Sequence, residues 1–207
     1  MTVLTDKRMT LQEFLEFEGG DDLRYELVDG VLVEMNLGTG KHGGSIRRLA
    51  KGLEAGAVAM GTDWIAIQGL VGIETTIGSR GDDLRSVVDH RVRIPDVTLI
   101  SEGQWNLIEE RSGSAVILRS EPAPVLVAEV LSPSTQLTDL SEKKVEYACR
   151  GISEYWLIDP KQGCITVLWL QDLSYVEVGV FVGEEAIVSP TFLGLNLTSM
   201  QILRAGR

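Results

Sequence analysis

Cysteine and histidine are nearly absent, with two of each in 207 residues. Cys149 and Cys164 fit no zinc or redox spacing, so they read as reduced thiols, and a disulfide scaffold is excluded. Basic charge is short as well. Nineteen Lys and Arg stand against thirty Asp and Glu, a net charge of −11, which argues against broad, non-specific adhesion to nucleic acid or anionic lipid. It leaves room for a local site that holds cations through carboxylates. No apolar run approaches the roughly 18 residues that a membrane span needs. The first ten residues carry Asp6, Lys7 and Arg8 where a signal peptide has its apolar stretch, so a cytoplasmic protein is expected. There is no repeat, low-complexity tract or Pro/Gly/Ser linker. With 44% hydrophobic and 24% charged residues, the chain is expected to form a single domain over 1–207.

Thr10-Leu-Gln-Glu13 is a capping box, and it predicts a helix to about Glu18 before a turn at Gly19 to Asp22. Asp29-Gly30 joins two extended runs, 24–28 and 31–36, as a hairpin. Ile46, Leu49, Ala50, Leu53, Ala57 and Met60 recur at helical spacing and predict a helix over about 44–60. Residues 63–77 read as one long strand or two interrupted at Gly69 or Gly72. Residues 91–100 read as a strand with Pro95 at an edge or bulge. A loop from about Gly78 to Asp89 separates them. Ser101 to Gln104 caps a short helix to about Glu110. Val125 to Leu131 is nearly all apolar, as in a central strand covered on both faces. A helix over 139–150 follows the turn at Ser132 to Thr135, with Thr138 as its cap and Gly151 as its stop. The remainder reads mostly as strand: 154–158, 164–170, 175–182 and a piece near Ile187. This order predicts an α/β protein with a central mixed sheet flanked by a few helices.

Glu129 is the sharpest anomaly. It stands inside Val125-Leu-Val-Ala-Glu-Val-Leu131, and an uncompensated carboxylate in a buried strand costs several kcal/mol, so it must be paired, protonated or metal-bound. A strand-end Glu in a salt bridge is the plain alternative. Asp96, directly after Pro95, is a second acid in an apolar strand, its plain alternative being a turn Asp. On neighbouring strands the two would form a site for a hard divalent cation, since Mg²⁺ takes one or two carboxylates plus waters and phosphate oxygens.

Pro95-Asp96, then Glu129 running into Leu131-Ser-Pro-Ser-Thr135, then Lys143 and Tyr147, then Gly151-Ile-Ser-Glu-Tyr-Trp-Leu-Ile-Asp-Pro160, resemble the restriction-endonuclease-like PD-(D/E)XK superfamily. More narrowly, they resemble a large bacterial family of short, single-domain endonuclease-like proteins that also carry a segment similar to Arg24-Tyr-Glu-Leu-Val-Asp-Gly30. The resemblance spans roughly 9–202. It implies a restriction-endonuclease-like fold and hydrolysis of phosphodiesters in DNA with Mg²⁺, for which Mn²⁺ can substitute. Asp96 and Glu129, with the carbonyl of Val130 and the additional acid Glu26, are implied metal ligands. The lysine normally found two residues after the acid is Leu131 here. The narrower family carries it on the following helix, and the matching residue is Lys143. A homodimer would give a double-strand cut.

Other readings compete. Lys143, beside Glu142 and Glu146, has the plain alternative of a solvated lysine, and Glu26 that of a solvent-facing strand residue opposite Arg24 or Glu34. His42 begins the striped helix in a basic patch with Lys41, Arg47, Arg48 and Lys51. That patch could meet a phosphate backbone or be a solvated helix start, and His42 is not counted as catalytic. Gly38-Thr-Gly40-Lys-His-Gly43 satisfies G-x-G-x-x-G, but the rest of a dinucleotide-binding unit is missing. Tyr155, Trp156 and Trp169 read as core. His90 has no evident partner. The rival from another class is a degenerate nuclease fold serving as a DNA-binding or protein-interaction module.

Overall fold

A computed structural model describes residues 8–17, 24–35, 38–77, 91–133 and 136–204. The turn expected at Gly19 to Asp22, the loop from Gly78 to Asp89, His90, and Ser134-Thr135 lie outside the described residues. Among those described, six helices and eleven strands follow one another. The α/β, mixed-sheet architecture is the expected one, with the strands divided between two sheets instead of gathered in one.

The five-stranded sheet contains β1 (Tyr25–Val28), β2 (Val31–Glu34), β4 (Gly72–Thr75), β5 (Arg91–Arg93) and β7 (Val116–Ile117), in the order β2-β1-β5-β4-β7. The six-stranded sheet contains β3 (Trp64–Ile67), β6 (Val97–Ser101), β8 (Leu126–Val130), β9 (Glu154–Asp159), β10 (Cys164–Gln171) and β11 (Ser174–Val182), in the order β11-β10-β9-β8-β6-β3. β8 runs antiparallel to β6 and parallel to β9. It is therefore covered on both edges and, as its composition predicts, buried on both faces.

Of the two readings of 63–77 the two-strand one holds, and the single strand expected over 91–100 is divided as well. The 63–77 segment breaks at Gly69, whose φ of +58° suits a glycine, and β3 and β4 enter different sheets. The 91–100 segment breaks at Ile94 to Asp96. Pro95 has no N–H for a ladder, and the Ile94 N–H is diverted to Glu26 Oε1, 3.1 Å away. Pro95 thus marks a crossing between sheets, not a bulge within one strand.

The striped helix α2 (Gly40–Met60) begins about four residues before the expected start near 44, capped by the Thr39 side chain. Its Leu49, Ala50, Leu53 and Ala57 pack on Val97, Leu99, Ala128 and Val130, one face of the six-stranded sheet. Short α1 (Leu11–Leu15) keeps the expected capping box, and α3 (Glu102–Glu109) keeps its Ser101 cap. The expected 139–150 helix is two, α4 (Gln136–Leu140) and α5 (Glu142–Arg150). Thr138 lies inside α4 and does not cap it. The break falls at Ser141, whose hydroxyl bonds back to the Leu137 carbonyl, a contact that bends helices. Gly151 is the αL stop of α5, as expected. Beyond the piece expected near Ile187, where no element was expected, the chain forms α6 (Ser199–Leu203), started by a Thr198/Gln201 capping box. Tyr155 and Trp156 are fully buried, while Trp169 is only half-buried.

α5 occupies the space between the sheets. Its Tyr147 and Ala148 share a core with Ile73 of the five-stranded sheet and Val127 and Tyr155 of the six-stranded one. No helix among the described residues is long and apolar enough to cross a membrane.

Candidate active site

Side chains alternate along β8: Ala128 and Val130 join the α2-side core, and Val127 joins the α5-side core. Period two therefore turns Glu129 toward α5. The β6–β8 register places Val97 opposite Ala128, so Asp96, one residue earlier, comes beside Glu129 at the end of the sheet. The two acids singled out from the sequence are neighbours, Glu129 inside β8 and Asp96 just before β6.

α5 carries two stripes at i,i+4 spacing, about 100° apart around the helix. Lys143 and Tyr147 form one. Lys143 Nζ donates to Glu129 Oε1 at 2.9 Å and the Tyr147 hydroxyl donates to the same oxygen at 2.8 Å. No hydrogen bond among the described residues reaches Oε2. The ammonium also lies 3.3 Å from Glu26 Oε1 and 3.2 Å from Asp139 Oδ1. Glu26, Glu129 and Lys143 are 3%, 4% and 5% exposed, so neither Lys143 nor Glu26 is the solvated side chain its plain alternative supposed. Glu26 pairs in register with Val33, not Glu34.

Glu142 and Glu146 form the second stripe, facing the other sheet. Arg93, 1% exposed, forks onto Glu146 through Nε and Nη2 at 2.8 and 2.7 Å and reaches Glu26 Oε2 through Nη1 at 3.0 Å. Arg91 forks onto Asp29 and donates to Glu146 Oε1 at 2.7 Å. The Thr75 hydroxyl completes the Glu146 shell at 2.8 Å. A continuous chain of buried charge thus runs from Arg91 through Glu146, Arg93, Glu26 and Lys143 to Glu129.

Asp96 is held from two sides. His42 Nε2 lies 3.1 Å from Oδ1, and the Val130 N–H donates to Oδ2 at 2.7 Å. The carbonyl of an extended residue leaves the strand on the same edge as its N–H, so Val130 offers its oxygen on the Asp96 side. His42, set apart on sequence, therefore belongs to the constellation, as do Asp139, Arg93 and Glu146. The helix start at Gly40 puts His42 in the first turn of α2, and the apolar stripe, which begins later, gave no hint of it.

Electrostatics follow from burial and company. Burial pushes the Glu129 carboxyl well above its ordinary range, and Asp139, Asp96 and Glu26 add to this against the pull of Lys143. Burial would lower Lys143, but Glu129, Glu26 and Asp139 hold its ammonium well above the usual lysine range. Glu26 stays below the ordinary value because Lys143, Arg93 and the Ile94 N–H outweigh its burial. Of these two glutamates, Glu129 is thus the one that ionises last. The Asp96 hydrogen bond raises His42.

These groups line a cleft of about 500 Å³ whose walls include Met35, Leu131, Pro133 and Pro160, with Lys41 and Lys161 also contributing. Among the described residues, no three His, Cys, Asp or Glu side chains are arranged to hold a metal ion by themselves. The donors do fit in kind a hard cation that keeps its waters: one carboxylate with an unbonded oxygen, a second beside it, and a carbonyl.

A mixed sheet that brings two acids and a lysine together at one end defines a nuclease-like α/β protein. Residues 11–200 match the Uma2 family, described as putative restriction endonuclease, and the chain belongs to that family. The structure is similar to that of a putative nuclease belonging to DUF820 from Anabaena variabilis ATCC 29413, with a TM-score of 0.64 and 21% identity over 95% of this chain and 98% of that one. That likeness establishes the fold. No functionally curated protein matches the chain. Restriction-endonuclease-like families generally use divalent metals and act on nucleic acid.

Proposed function

We propose that this chain is a Mg²⁺-dependent endonuclease that hydrolyses phosphodiester bonds in DNA, with Mn²⁺ able to substitute. The reading rests on one observation: Lys143, from a helix, sets its ammonium 2.9 Å from Glu129, beside Asp96, at the end of a buried strand. Leu131 stands where the superfamily lysine is usual, and this is what favours the degenerate-module alternative. The approach of Lys143 from α5 answers it, because the cation reaches the acid by another route.

In this reading Asp96, Glu129 and the Val130 carbonyl would hold the ion, which when bound would supply a water of lowered pKa and positive charge facing the phosphoryl oxygens. Lys143 keeps its proton, orients the attacking water and stabilises the developing anion. His42 fixes the Asp96 carboxylate. Glu26, whose two oxygens already accept from Arg93 and Ile94, serves chiefly to anchor Lys143. The protein works as one domain in the cytoplasm, and pairing as a homodimer sets two such clefts against two strands.

Plasmid nicking by wild type with Mg²⁺, Mn²⁺ or EDTA, beside Asp96→Asn and Glu129→Gln, tests the proposal. Metal-dependent nicking that both substitutions abolish is the expected result. Equal nicking by wild type and both variants, or none under any metal, overturns it.

A further inference from the structure

The basic segment after His42 is not used by the chemistry above, and the structure gives it a place. At about 100° per residue, Lys41, Arg48 and Lys51 fall within an arc of about 80° on α2, and Arg47 lies about 40° beyond it. That arc is centred opposite the one carrying Leu49, Leu53 and Ala57 into the core. Two cations from other elements join it. Arg48 Nε donates to the Ile202 carbonyl at 2.6 Å, which ties α6 to α2 and brings Arg204 close. Ser199 of α6 bonds the Gly163 carbonyl at 3.2 Å, and the same turn carries Lys161 at the cleft.

None of Lys41, Arg47, Arg48, Lys51, Lys161 or Arg204 forms an ion pair among the described residues. Burial and then repulsion from Arg204 and Arg47 pull Arg48 below its ordinary value, as expected where cations gather. Such a gathering is notable in a chain of net charge −11. Its partner should be polyanionic and continuous with whatever enters the cleft, since Lys41 and Lys161 line that cleft.

We infer that the exposed face of α2, extended by Arg204, is the track along which a DNA backbone approaches the cleft. The inference rests on the nuclease reading for its choice of polyanion. From Lys41 to Lys51 the helix rises about 15 Å, comparable to about four base-pair steps of duplex at roughly 3.4 Å of axial rise each. Affinity then comes from a local strip of cations, which reconciles an acidic protein with a nucleic-acid substrate.

The test is binding of a fluorescein-labelled DNA duplex by anisotropy across a salt series, in EDTA so that nothing is cut. It compares wild type, the triple variant Arg47→Ala/Lys51→Ala/Arg204→Ala, and a control, Arg119→Ala/Lys144→Ala, with folding verified by circular dichroism. The triple variant is expected to bind on the order of tenfold or more weakly, with the slope of log affinity against log salt shallower by about 2 to 3, and the control to match wild type. An unchanged slope in the triple variant, an equal loss in the control, or no duplex binding by wild type overturns the inference. So does patch-dependent binding to phosphatidylglycerol vesicles without patch-dependent binding to DNA. Patch-dependent DNA binding by a wild type that never nicks with Mg²⁺ or Mn²⁺ supports the track while rejecting the nuclease.

Discussion

Lys143 and Glu129, 14 residues apart in sequence, form a buried pair 2.9 Å long, joined at the same carboxylate oxygen by the Tyr147 hydroxyl. The pair unites what makes the cluster unstable with what makes it useful. Removing either partner alone strands a charge, so their substitutions should interact strongly.

Lys143→Met should lower metal-dependent nicking on the order of 10²- to 10³-fold and destabilise the fold by ~3–5 kcal/mol, because Glu129, Glu26 and Asp139 lose their shared cation. Adding Glu129→Gln should recover part of the stability and none of the activity. Urea denaturation of the two single variants and the double variant measures the coupling; additive losses would refute it.

Metal uptake should release protons. Burial makes the Glu129 carboxyl hold its proton more tightly than an ordinary carboxyl, so a cation that binds its carboxylate competes with that proton. Calorimetric titration of Mn²⁺ in two buffers of different ionisation enthalpy should give different apparent heats for wild type and matching heats for Glu129→Gln. Matching heats for wild type would mean that Glu129 is already ionised.

Stability of the metal-free protein should have two limbs. A raised carboxyl such as Glu129 means that the folded state binds more protons than the unfolded, so stability falls as pH rises from the ordinary value of 4.5 through its folded pKa. His42, raised from 6.5, contributes stability present below that value and lost as pH rises through its own folded pKa. Glu26 and Glu146, both lowered from 4.5, give stability that is lost as pH falls below that range. Melting temperatures from pH 3 to 9 should therefore decline on both sides, and Glu129→Gln should flatten the upper side only. An upper limb unchanged by the substitution would remove Glu129 as its source.

Arg93→Met should cost ~3–5 kcal/mol, since it leaves Glu146 and Glu26 buried without their main cation. The double variant Arg93→Met/Glu146→Leu should be markedly more stable than Arg93→Met. Denaturation midpoints decide; a double variant no better than the single would show that the fork contributes little.

Much of this site could be read from the chain because its cause is local. A carboxylate among Val, Leu and Ala in β8 announces a partner, and an acid after Pro95 announces a second. Lys143 was legible through the resemblance, which puts the lysine on the following helix. The partners of these groups were not. Arg93 looks like a surface arginine in a charged segment, and Glu146 like a solvated helix residue, until the two sheets close around α5. The division into two sheets was equally hidden: alternation along 63–77 and 91–100 is the same whether a segment stays in one sheet or crosses to another. Only Gly69 and Pro95 marked the crossings, and each has commoner meanings.

Glu26 comes from the first hairpin, Asp96 from the crossing between the sheets, Glu129 from the central strand, and Lys143 from the helix wedged between them. No contiguous stretch of chain holds the set. A nascent or partly opened polypeptide therefore lacks the constellation altogether, and the set assembles only when synthesis has passed α5 and both sheets have closed.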